Sequence, residues 1–175
     1  MAGNRGYFAN QKLIKSRLLS QVTKLRLYKT LIRPIVTYGC ESWNLLANDA
    51  RKLRVFERKV IRRIYGPVCE RGQWRIRRNE EIDQILEGED IVRFIKSQRI
   101  RWIGHLERMS DARCTKAVYN GQMEGRRRQG RPRNRWKDEV EADLLTLGVR
   151  PWKQAALDRE RWRKIVGEAK AHTGL

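Results

Sequence analysis

The strongest periodicity along the chain lies between about Asp49 and Tyr65. There Leu53, Phe56, Val60, Ile61 and Ile64 recur at spacings of three and four, which predicts a helix with one apolar side. Asn48 or Asp49 offers an N-cap, and Gly66 followed by Pro67 ends the element. Arg51, Lys52, Arg54, Arg58, Lys59, Arg62 and Arg63 fill most of the opposite side, interrupted by Val55. One face of this helix packs and the other is solvated or binds.

Weaker seams flank it. Leu13, Ile14, Leu18 and Leu19 suggest one helix, and Leu25, Tyr28, Leu31, Ile32, Ile35 and Val36 a second that begins near Ser20 or Thr23. Pro34 should kink or break the second, because it removes a hydrogen bond and crowds the preceding turn; a bend is expected at Gly39. Residues 68–78 read as a polar, Arg-rich connector. A short helix to about Leu86 follows, with Asn79 as its cap, Glu80 and Glu81 in its acidic first turn and Gly88 at its close. Asp90 opens another, with Ile91, Phe94, Ile95, Trp102, Leu106 and Met109 along its seam and Gly104 as a local weak point. Trp136, Val140, Leu144 and Leu147 form a further seam ended by Gly148. In a last helix starting at Pro151, Trp152, Ala155, Ala156, Trp162 and Val166 share a side with Arg159, which is expected to pair with an acid there. No long alternating stretch argues for a sheet. The expected fold class is all-α, an irregular array divided into a basic three-helix unit (1–67), a connector and helical segment (68–119), a Gly/Arg-rich loop (120–135) and a Trp-seamed helical pair (136–175).

Charge sharpens this picture. The 40 Lys and Arg against 20 Asp and Glu give a formal charge of +20, and Arg outnumbers Lys 28 to 12. Arginine presents a planar fork that meets phosphate oxygens two at a time, so nucleic acid is the favoured partner over acidic proteins or anionic membranes. The excess is concentrated at residues 1–79 and 126–135, and the intervening and C-terminal stretches are nearly neutral. Gly130, Arg131 and Pro132, inside the run that holds Arg126, Arg127, Arg128, Arg133 and Arg135, resemble an AT-hook that could lay arginines in a narrow minor groove. A phosphate-binding loop is the simpler reading of that run, which also reads as a nuclear localisation signal.

Chemistry-bearing motifs are scarce. Cys40, Cys69, Cys114, His105 and His172 lie too far apart to pair as zinc ligands, no CxxC exists, and nothing sets a cysteine beside a histidine base. The expectation is no metal, no cofactor, no small-molecule substrate, no membrane partner, and an intracellular, nuclear location.

Four blocks, LYKTLIRPIVTYGCESW (27–43), RKLRVFERKVIRRIYGP (51–67), IKSQRIRWIGHLERM (95–109) and GRRRQGRPRNRWKDEVEADL (125–144), resemble in wording, order and spacing the C-terminal end of endonuclease–reverse transcriptases of non-LTR, LINE-type retrotransposons. The similarity runs from about residue 9 to 169. It implies that residues 9–66 are a helical thumb, which in that family holds the template–primer duplex beside the palm, and that the rest is the family's C-terminal extension. A polymerase palm needs metal-binding carboxylates, including a Tyr-x-Asp-Asp turn, and these 175 residues contain no Asp-Asp pair. The expected function is therefore to grip an RNA–DNA hybrid or duplex DNA or RNA by its phosphates, without catalysis of its own. Arg51, Arg54, Arg58, Lys59, Arg62 and Arg63 on the helix and Arg126, Arg127, Arg128, Arg131, Arg133 and Arg135 on the loop would make the contacts, and the parent polymerase's palm and fingers would be the protein partner. The alternative is a freestanding architectural DNA-binding protein that uses the loop as a minor-groove arm.

Overall fold

A computed structural model of the chain describes residues 2–121, 135–172 and 174–175. The fold is all-α, relieved among the described residues by one short hairpin, and the chain divides into two compact units, 1–40 with 45–92 and 41–44 with 93–175.

The first unit is organised around the helix that the periodicity predicts, α5 (Ala47–Tyr65), which ends at Gly66 with φ +70°. Its Val60, Ile61 and Ile64 form a core with Ile14, Tyr28, Ile32, Ile82 and Leu86. Fully burying side chains of this size contributes about 1.5–3 kcal/mol each. Ahead of it come α1 (Ala2–Ala9), α2 (Gln11–Lys15) and α3 (Gln21–Leu27). Ser20 caps α3, its hydroxyl accepting the Thr23 N–H at 3.1 Å. Of the kink or break expected at Pro34, there is no break: a π-helical turn at Tyr28–Ile32 leads directly into α4 (Arg33–Val36). Proline cannot donate to the carbonyl four residues back and its ring crowds it; the wider turn, in which the Arg33 N–H reaches back to the Tyr28 carbonyl, accommodates both defects without ending the helix. Gly39, at φ +69°, makes the expected bend.

The connector expected at 68–78 contains an antiparallel hairpin, β1 (Val68–Glu70) and β2 (Gln73–Arg75), with Cys69 opposite Trp74. Arg71 (φ 51°) and Gly72 (φ 79°) both sit in the left-handed region, as a tight two-residue turn requires. Next is α6 (Asn79–Ile85), in which the Glu81 carboxylate accepts the Arg78 N–H at 2.7 Å. Asn79 is thus the first helical residue and not the cap. Arg75 reaches the same carboxylate with both terminal nitrogens, and this pairing, first of all, holds Glu81 down to about 2.

The second unit contains most of α7 (Ile91–Glu107), then α8 (Cys114–Asn120), α9 (Trp136–Thr146), α10 (Trp152–Leu157) and α11 (Arg159–Ala171). Ile100, Ile103, Val140, Leu144, Ala155, Ala156, Trp162, Ile165 and Ala169 form its core. Two ion pairs tie α7 to α9: Lys96 to Asp143 and the buried Arg99 to Glu139, both at 2.8 Å. The last helix is not continuous. Asp158 interrupts it, and the carboxylate accepts the N–H groups of Glu160 and Arg161 to start α11. The break turns Arg159 out of the apolar seam, so it is exposed, and its charge instead lowers the pKa of Arg108, after the larger effect of that group's burial.

Gly104 is a docking site and not merely a weak point in α7. A Cβ there would lie 2.0 Å from the Trp162 Nε1, and that nitrogen donates to the Ile100 carbonyl at 3.1 Å in the core. Gly104→Ala improves helix propensity by about 1 kcal/mol. It should nonetheless destabilise the chain by about 2–4 kcal/mol in a denaturant titration, because the indole must move and its buried hydrogen bond is lost. A stabilised variant would contradict this packing.

Candidate nucleic-acid interface

The cations of α5 fall into two groups. Arg54, Arg58 and Arg62, each one turn after the last, are drawn towards acceptors that follow in the chain. Arg54 Nε meets Asp90 at 2.9 Å, Arg58 lies 3.8 Å from Asp83, and Arg62 donates to the Arg77 carbonyl at 3.0 Å and to Asn79 Oδ1 at 2.8 Å. Arg51, Lys59 and Arg63 are exposed, with no ion pair among the described residues. Of the six helix residues picked from sequence, Arg54 and Arg58 therefore pair with acids, Arg62 is held by neutral acceptors and keeps its charge, and three present theirs to solvent.

Lys59 and Arg63 of the exposed group open with Arg62 onto two adjoining clefts at the C-terminal end of α5, of about 330 and 320 Å³, whereas Arg51 lies near the other end of the helix. Both are lined by Arg62, Arg63, Gly66 and Pro67; Lys59, Ile76 and Arg77 complete one, and Ile14, Lys15 and Lys24 the other. Arg77 is held in place by donating to the Gly66 carbonyl at 3.1 Å, with its guanidinium 5.8 Å from the Tyr65 ring centre. Among the described residues, every charged residue lining these clefts is a cation. Lys15, Lys24 and Arg77 were not singled out from sequence: they lie on α2, on α3 and past the hairpin, and no periodicity brings them to Gly66. Arg126, Arg127, Arg128, Arg131 and Arg133, with the AT-hook-like residues, lie outside the described residues. Arg135 is described, exposed at the N-cap of α9.

Behind the cationic side, Glu57 is 1% exposed. Tyr28 donates its hydroxyl to Oε1 and Ile91 its N–H to Oε2, both at 2.7 Å, so the carboxyl closes the first turn of α7 from a neighbouring helix. Burial pushes Glu57 up to about 7, against the lowering effect of those two hydrogen bonds. Among the described residues no group of three or more His, Cys, Asp or Glu could hold a metal ion, and no helix is long and apolar enough to cross a membrane.

The sequence is similar to a protein of Caenorhabditis elegans described as transposon-derived, with 24% identity over 165 residues. The match covers 91% of this chain and 59% of that protein. No protein-family model matches the chain, and no solved structure does.

The state of Glu57 has a signed consequence. Between its ordinary value of 4.5 and about 7 the folded chain keeps a proton that the unfolded chain releases. Its contribution to stability is therefore complete below the lower value and is lost as pH rises through the higher one. Denaturation midpoints of wild type should fall relative to those of Glu57→Gln between about pH 4.5 and pH 7, the interval between the two values. Parallel pH profiles for the two proteins would refute the buried carboxyl.

Proposed function

We propose that this chain grips nucleic-acid duplex through its phosphates, as the thumb-like part and C-terminal extension of a non-LTR reverse transcriptase. The observation that carries the reading is the pair of clefts at the end of α5, where Lys15, Lys24, Lys59, Arg62, Arg63 and Arg77 converge and no acid among the described residues lines the walls. Phosphate contacts of this kind position a duplex without reading its sequence, which suits a polymerase that copies any template. Two further facts support it: the excess of arginine over lysine and the similarity to a transposon-derived protein. On this reading the chemistry belongs to the palm of the parent polymerase, and the chain contributes grip.

Lys59 and Arg63 are the informative pair, because changing them leaves the internal ion pairs of α5 intact. Lys59→Ala with Arg63→Ala should weaken duplex binding equally on A·T-rich and G·C-rich sequences and reduce the slope of log affinity against log salt by about two, one for each phosphate contact. Arg54→Ala should instead register mainly as lost stability. Unchanged duplex binding in the double variant, or a loss confined to A·T-rich duplexes, would overturn the proposal, the second result favouring a minor-groove arm.

A further inference from the structure

The hairpin and the segment after it carry a second kind of binding chemistry. From residue 74 to 78 alternate side chains have opposite fates. Arg75 is clamped between Glu70 and Glu81, and Arg77 is tied to the Gly66 carbonyl. The intervening side chains are left to solvent: Trp74 is 73% exposed, Ile76 74% exposed, and Arg78 is exposed as well. The backbone between them is also fixed, since the Arg77 carbonyl accepts from Arg62 and the Arg78 N–H donates to Glu81. An extended strand turns successive side chains to opposite faces, so two anchored arginines hold the other face outward.

A rigidly mounted, exposed tryptophan is costly to leave in water, and its surroundings indicate what covers it. Ile76 lies two residues along, about 6.6 Å in extended chain, and forms part of the wall of the cleft that holds Lys59, Arg62, Arg63 and Arg77. Arg71, at the hairpin turn, and Arg78 are exposed on the same segment. An aromatic face beside a cationic groove is the combination that binds unpaired nucleotides: the groove takes the backbone and the ring takes a base, without preference for which base.

We propose that Trp74 is a stacking platform for an unpaired base of a nucleic-acid strand whose phosphates lie in the adjoining cleft, so that the site takes the junction between a duplex and its single-stranded continuation. This rests on the phosphate-binding reading of the cleft and adds a preference that phosphate contacts alone do not give. Trp74 bridges nothing in the core, so its replacement leaves the fold intact.

The test uses the full chain with three labelled ligands at equal salt: a blunt duplex, the same duplex with a single-stranded extension, and the single strand alone. Trp74→Ala should bind the extended duplex and the single strand roughly tenfold more weakly, the loss of one stacked base. Blunt-duplex affinity, salt slope and melting temperature should be unchanged, and Trp74→Phe should recover most of the loss. If Trp74→Ala binds all three ligands as wild type does, the stacking platform is wrong and the cleft stands. An equal loss on all three would also overturn the platform, since it marks a general defect. If wild type binds none of them, both readings fall.

Discussion

Unit 1 depends on how α5 divides its positive charge. Arg54, Arg58 and Arg62 turn inward to Asp90, Asp83, the Arg77 carbonyl and Asn79, and so fasten the segment from the hairpin to the start of α7 onto one helix. Exposed ion pairs are worth about 0–1 kcal/mol each, so their role is more to fix position than to supply stability. Stability comes from the apolar side of the helix, and from Glu57, which in its buried position satisfies a backbone donor at the start of α7. With that segment fixed, Arg77 is set against Gly66, and Lys59, Arg62 and Arg63 join it at the C-terminal end of α5.

The second unit solves its packing by a different route. Its core is mostly Ile, Val, Leu, Ala and one deeply placed tryptophan, and the close approach of Trp162 to α7 is possible only because residue 104 has no side chain. Lys116 closes the far end of α7, its ammonium donating to the carbonyls of Leu106 and Glu107, where a cation is favoured by the exposed acceptors of a helix terminus. These features concern folding, and the candidate interface in the described residues lies in the first unit.

Long apolar seams were legible in the sequence, although α5 begins at Ala47 after Leu46 and not at the caps expected at Asn48 or Asp49. The helices at 47–65, 91–107 and 136–146 are where the spacing of Leu53 to Ile64, Ile91 to Leu106 and Trp136 to Leu144 puts them. The misses have physical reasons. α1 contains Gly3 and Gly6, poor helix formers that are tolerated because Val36, Phe56 and Ile35 pack against them. Each hairpin strand is three residues long, too short for alternation to register. The break at Asp158 is signalled by an Asp with Glu160 in the following turn, and the continuous seam from Trp152 to Val166 masked it. At the interface, the exposed Arg51, Lys59 and Arg63 could be read from a helical wheel. The capture of Arg54, Arg58 and Arg62 could not, since their partners lie 15 to 36 residues away.

Lysine footprinting reads directly whether a phosphate backbone lies in the clefts around Gly66. The full chain is treated with an amine-reactive reagent, free and saturated with duplex, and modification is quantified residue by residue. Duplex should protect Lys15, Lys24 and Lys59, while Lys153 and Lys164, exposed on the helices of the second unit, stay as reactive as before. Protection of Lys153 and Lys164 with Lys59 left open would contradict it and move the interface away from α5.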